Sequence, residues 1–90
     1  MSLLLGDERT DVRGTYDLVN EAIAELIKAK RKLVMAAMKS RSTMTGMNDS
    51  RNRVTMATNS EEIAEVRDSV EENIRLLGSS KDSMRTMLHN

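Results

Sequence analysis

Residues 12–44, VRGTYDLVNEAIAELIKAKRKLVMAAMKSRSTM, decide the fold of this chain. Apolar side chains recur at Val12, Tyr16, Val19, Ile23, Leu26, Leu33, Ala37 and Met44, and Lys30 and Ser40 fill the two positions the pattern leaves open. Alternating gaps of three and four keep one stripe on one side of an α-helix. Flanking Leu18, Ile27, Val34 and Met38 widen that stripe beyond a narrow two-strand seam, which suits a helical bundle. Upstream, Asp7, Glu8 and Asp11 favour the positive end of a helix dipole. The expectation is a long helix over about residues 10–45, preceded by a tail over 1–9.

Beyond this helix the character changes. Residues 42–59 are rich in Ser, Thr, Asn and Met around a single Gly46, and read as a mobile linker. A structureless loop of that length is unusual in a compact domain, so the alternatives are a first helix running on toward Met47 or a helical turn over 51–57. A second helix is expected over about 60–88. Asn59 or Ser60 can cap it, and Glu62 stands at capping-box spacing from Asn59. Its stripe is Ile63, Val66, Val70, Leu77, Met84 and Met87, interrupted by Asn73 and Ser80. At Gly78 the helix either breaks, with Ser79 and Asp82 starting a short third helix, or runs through at a cost of about 1 kcal/mol.

Composition limits what such a chain can do. Ninety residues make one domain over 1–90, small enough to lean on some additional staple. There is no Cys, and the one His is His89, so disulfides, thiolate catalysis and Cys- or His-based metal clusters are set aside, and no cofactor is expected. Tyr16 is the one aromatic residue and Pro is absent, while Ala, Leu, Lys, Glu, Arg and Met dominate. The fold class is therefore all-α. No apolar run reaches membrane-spanning length and the first residues lack a basic signal region, so no membrane partner and a cytoplasmic location are expected.

Net charge is zero, but the charges are segregated. Residues 1–27 hold two basic against six acidic side chains, residues 28–53 eight against one, and residues 54–90 four against seven. An antiparallel helical hairpin whose facing residue numbers sum to about 103 brings the stripes together. It pairs Tyr16 with Met87, Val19 with Met84, Leu26 with Leu77, Leu33 with Val70, Ala37 with Val66, Ile23 with Ser80 and Lys30 with Asn73. The same register sets Arg41 beside Glu61 and Glu62, Lys32 beside Glu71, Arg31 beside Glu72, Glu21 beside Lys81 and Asp17 beside Arg85, with one repulsive pair, Lys28 and Arg75. Exposed pairs contribute at most about 1 kcal/mol each, so their use is in choosing orientation. A domain swap between chains satisfies the same contacts as the intramolecular hairpin.

The expected function is accordingly non-enzymatic. The chain reads as a helical interaction or assembly module, forming a homodimeric or higher bundle or coiled coil, or docking on a helical protein partner. Its apolar seam is Tyr16, Val19, Ile23, Leu26, Leu33, Ala37, Ile63, Val66, Val70, Leu77, Met84 and Met87, with Lys30 and Asn73 as polar specifiers. Met44, Met47 and Met56, in the polar segment, are candidates for an adaptable contact surface. An alternative is nucleic-acid binding through the basic segment 28–53, with Lys28, Arg31, Lys32, Lys39 and Arg41 on phosphates. The neutral total and the lack of aromatics for base stacking disfavour it. A further alternative is enzymatic. Arg13, Lys30 and Arg41, on a helix that also carries Leu26, Arg31, Leu33 and Lys39, resemble the first helix of the helical chorismate mutases. That family folds as intertwined dimers and binds a dianionic substrate with an Arg, Arg, Lys set. The resemblance implies such a role for Arg13, Lys30 and Arg41, although Lys and Arg are exchanged at two positions, no Gln is present, and the family's second helix is not recognisable.

Overall fold

The computed structural model describes residues 3–89, and they form two helices: α1, Gly6–Thr45, and α2, Ser50–His89, of 40 residues each. They pack against one another as an antiparallel hairpin measuring 65 × 18 × 14 Å. Among the described residues there is no strand.

Helix α1 begins earlier than expected. Glu8 accepts a hydrogen bond from the Leu5 backbone N–H at 2.9 Å, and Asp7 and Glu8 place negative charge on the first turn. Residues 6–9, expected in a tail, are therefore helical. The expected linker over 42–59 is likewise mostly helix, and the connection shrinks to residues 46–49. The hydroxyls of Thr45, Thr55 and Thr58 donate back to the carbonyls of Arg41, Arg51 and Val54, so these polar side chains satisfy themselves on the helix. Asp49 starts α2: its Oδ1 accepts from Asn52 N–H at 2.9 Å. Arg53 then reaches back with Nε and Nη2 to the Met47 carbonyl at 3.2 and 2.7 Å and closes the loop. Gly46 has φ −86°, so the turn uses no left-handed residue. Gly78 does not break α2.

The register differs from the expected one by about one turn of α2. Ser40 meets Ser60 and Lys30 meets Glu71, so facing numbers sum to about 100 rather than 103. On α1 the inward positions run Val12, Tyr16, Val19, Ile23, Leu26, Lys30, Leu33, Ala37, Ser40 and Met44, all half-buried or buried. On α2 they run Ser60, Ile63, Arg67, Val70, Ile74, Leu77, Lys81, Met84 and Leu88. Val66, Asn73, Ser80 and Met87, expected inward, are exposed. Two heptad sets overlap on this helix and share Ile63, Val70, Leu77 and Met84. The expected set would bury Asn73 and Ser80, short polar groups that cannot reach water. The observed set admits Arg67 and Lys81 instead, whose stems pack while their charges reach out, and it gains Ile74 and Leu88.

The charge pairs follow the corrected register. Of six ion pairs among the described residues, Lys30–Glu71 at 3.2 Å joins the two helices, and the other five join neighbours on one helix. Asp17 pairs with Arg13, Lys28 with Glu25, Arg75 with Glu72 and Arg85 with Asp82, which removes the expected Lys28–Arg75 repulsion and the expected cross-helix pairs. Charge therefore does little to hold the hairpin closed.

Candidate interaction surface

The apolar seam is thinly covered. Among the described apolar residues only Ala37 and Met84 are buried, and Tyr16, Val19, Ile23, Leu26, Leu33, Ile63, Val70 and Leu77 are half-buried. Two helices can shield each other along one line, and the sides of a heptad seam stay open unless further helices cover them. Exposed beyond the seam are Leu18, Ile27, Met35, Met38, Val54, Val66, Leu76 and Met87.

Polar groups punctuate the seam at defined points. Near the loop, Ser40 Oγ lies 2.8 Å from the Ala37 carbonyl oxygen and 2.9 Å from Ser60 Oγ. Both hydroxyls are satisfied when Ser60 donates to Ser40 and Ser40 donates to the carbonyl. In the middle, Lys30 has a side chain about one-third exposed and reaches Glu71, not Asn73. Toward the open end, Tyr16 is flanked by Arg13 and Lys81, 5.6 and 5.9 Å from its ring centroid. At the end itself, the Arg9 guanidinium donates to the Leu88 carbonyl and satisfies one of the last acceptors of α2. Arg9, Arg67, Ile74, Lys81 and Leu88 were not expected at the seam. Ile74, four residues after Val70, is the signal in the sequence that could have found it.

One flank of the seam is concave. Ile27, Val34, Met35 and Ile74 line a groove of about 620 Å³, rimmed by Lys30, Arg31, Glu71 and Arg75. On the same flank, a smaller depression of about 260 Å³ lies between Arg41, Met44, Ala57, Ser60, Glu61 and Ala64. Both helices wall the groove, and the small side chains of Ala57 and Ala64 keep α2 low at the smaller depression. On the rim, Arg75 Nε donates to Glu72 at 3.0 Å, and that hydrogen bond holds the Glu72 carboxyl below its ordinary range.

The expected anion contacts are all exposed; Lys28, Arg31 and Lys32 border one depression together with Glu25, and Lys39 and Arg41 lie apart from it. Lys28 is paired with Glu25, Arg31 and Arg41 border the groove flank, and Lys32 and Lys39 lie outside it. Arg31, Lys32, Lys39 and Arg41 make no ion pair among the described residues. The set that resembles chorismate mutases is spread out. Arg13 and Arg41 lie about 42 Å apart along α1 at the usual helical rise, and Lys30 between them is engaged with Glu71. Within one chain these three cations cannot meet on one small dianion. No helix among the described residues is long and apolar enough to cross a membrane. Compared with known protein families, curated proteins and solved structures, the chain matches none.

Proposed function

We propose that this chain is a helical interaction module, whose work is to complete a bundle with further helices rather than to carry out a reaction. The observation that carries this reading is that, among the described residues, the hairpin buries only two apolar side chains, Ala37 and Met84, along a seam of nineteen positions. Hydrophobic burial is the main favourable term in folding, and a hairpin this thin gains little of it. The apolar side chains on its flanks, Ile27, Val34, Met38, Val66 and Leu76, are the remaining reserve. Covering each removes about 25 cal/mol per Å² of apolar surface from water.

Light scattering on a sizing column, with helicity measured by circular dichroism on the same sample, tests this reading. An oligomer with high helicity is expected, or a poorly helical monomer that gains helix when a partner is added. A monomer that is fully helical and unfolds cooperatively without any partner would sink it, because the hairpin would then need no further helices.

A further inference from the structure

We propose that the grooved flank is covered by a second copy of this chain, laid antiparallel so that the two loops lie at opposite ends. This rests on the reading of the chain as an assembly module, and it adds the occupant, the face and the orientation.

Area identifies the occupant. The chain exposes 6706 Å². A compact chain of 10.1 kDa exposes about 5,300 Å². The excess, about 1,400 Å² per chain, would give about 2,800 Å² buried in total between two copies, inside the range of stable homodimers. The groove also lies where self-association needs it. It is bounded by residues 27–35 of α1 and 71–75 of α2, and its centre lies within about 10 Å of the middle of the rod at the usual helical rise. A two-fold axis through that point sets the same apolar patch of each copy against the other.

Charge selects the orientation. In α1, residues 6–27 hold six acidic and two basic side chains, whereas residues 28–45 hold six basic and no acidic ones. Helix α2 offsets this only in part. The open half of the hairpin keeps seven acidic against five basic residues, and the loop half nine basic against seven acidic. An antiparallel second copy lays the acidic half of each hairpin along the basic half of the other. A parallel one stacks like on like, which is repulsive. Arg41, without an ion-pair partner in the hairpin, stands between the groove and the loop on the same flank, where the second copy's acidic half would lie.

The chain has no Cys, so a spin label at Asn48→Cys reports on the loop alone. In the antiparallel dimer the two labels stand about 50 Å apart, from the helical rise between the groove and the loop. Met38→Glu, an exposed change on the grooved flank, weakens self-association by about tenfold or more by placing a charge against apolar surface. Leu18→Glu, equally exposed on the opposite flank, leaves it unchanged. Labels within about 25 Å, at most one rod width plus linkers, would overturn the orientation. Weakening by Leu18→Glu but not by Met38→Glu would overturn the face. A poorly helical monomer would overturn the second copy as occupant while leaving the interaction module standing, and a fully helical monomer would overturn both.

Discussion

Single residues decide the register here, and the Ser40–Ser60 pair is the clearest case. Each hydroxyl is buried and each is satisfied through the other or through the Ala37 carbonyl. Removing one partner of a buried pair strands the other, whereas removing both leaves nothing stranded. Ser40→Ala is therefore expected to cost about 1 kcal/mol in denaturant unfolding, and the Ser40→Ala, Ser60→Ala double variant close to zero. Additive losses would mean that the two hydroxyls do not bond to each other. A second residue-level expectation concerns Glu72, whose carboxyl is held below its ordinary range chiefly by the Arg75 hydrogen bond. Its depressed value makes the pair favourable above the unfolded Glu pKa, and that contribution disappears as pH falls through the folded value. Both groups are exposed, so the effect on stability is small and the direct readout is a carboxyl titration by NMR. In Arg75→Ala the Glu72 carboxyl should return to the ordinary range, and an unchanged titration would place the cause elsewhere.

Elements were more legible than their contacts. The heptad of α1 could be read from residues 12–44 because the flanking positions mix apolar side chains such as Ile27, Val34 and Met38 with charges such as Arg13, Asp17, Arg31 and Arg41, while Lys30 and Ser40 alone interrupt the stripe. Helix α2 was harder. Ile63, Val70, Leu77 and Met84 belong to both of its heptad sets, and hydrophobicity alone favours Val66 and Met87 over Arg67 and Lys81. What decides between the sets is that long cationic stems tolerate half-burial better than Asn73 or Ser80 does. The polar stretch over 42–59 hid helix for a related reason: its threonines bond their own backbone, which composition does not reveal. The two internal glycines give a test at this scale. Gly14 and Gly78 sit inside continuous helix, and a Cβ added at either meets nothing within 4 Å. Gly14→Ala is expected to stabilise by about 0.5–1 kcal/mol through the lost flexibility of the unfolded chain. Gly78→Ala should match it if its side of α2 is open in solution. A gain at Gly14 without one at Gly78 would mean that another helix approaches α2 at that point.

For the whole molecule, shape sets the problem. A radius of gyration of 19.9 Å is far above the value of about 12 Å for a compact chain of this length. Such a rod has no interior in which to concentrate apolar surface, and its low-order, mostly local contacts give fast but weakly rewarded folding. In the proposed assembly, stability comes from association, and association makes unfolding depend on concentration. The magnitude can be set in advance. Tenfold dilution of a dimer costs about 1.4 kcal/mol per dimer. Unfolding two chains of 90 residues carries an entropy of about 0.38 kcal/mol/K at typical per-residue values. The melting midpoint followed by circular dichroism should therefore fall by about 4 °C for each tenfold dilution. A midpoint that stays fixed over a hundredfold range of concentration would mean that the two-helix hairpin is stable by itself, and its exposed apolar flanks would then need another explanation. A fall of the expected size would tie the folding of the hairpin to the covering of those flanks, since the same step that buries Ile27, Val34 and Ile74 would be the one that holds the helices together.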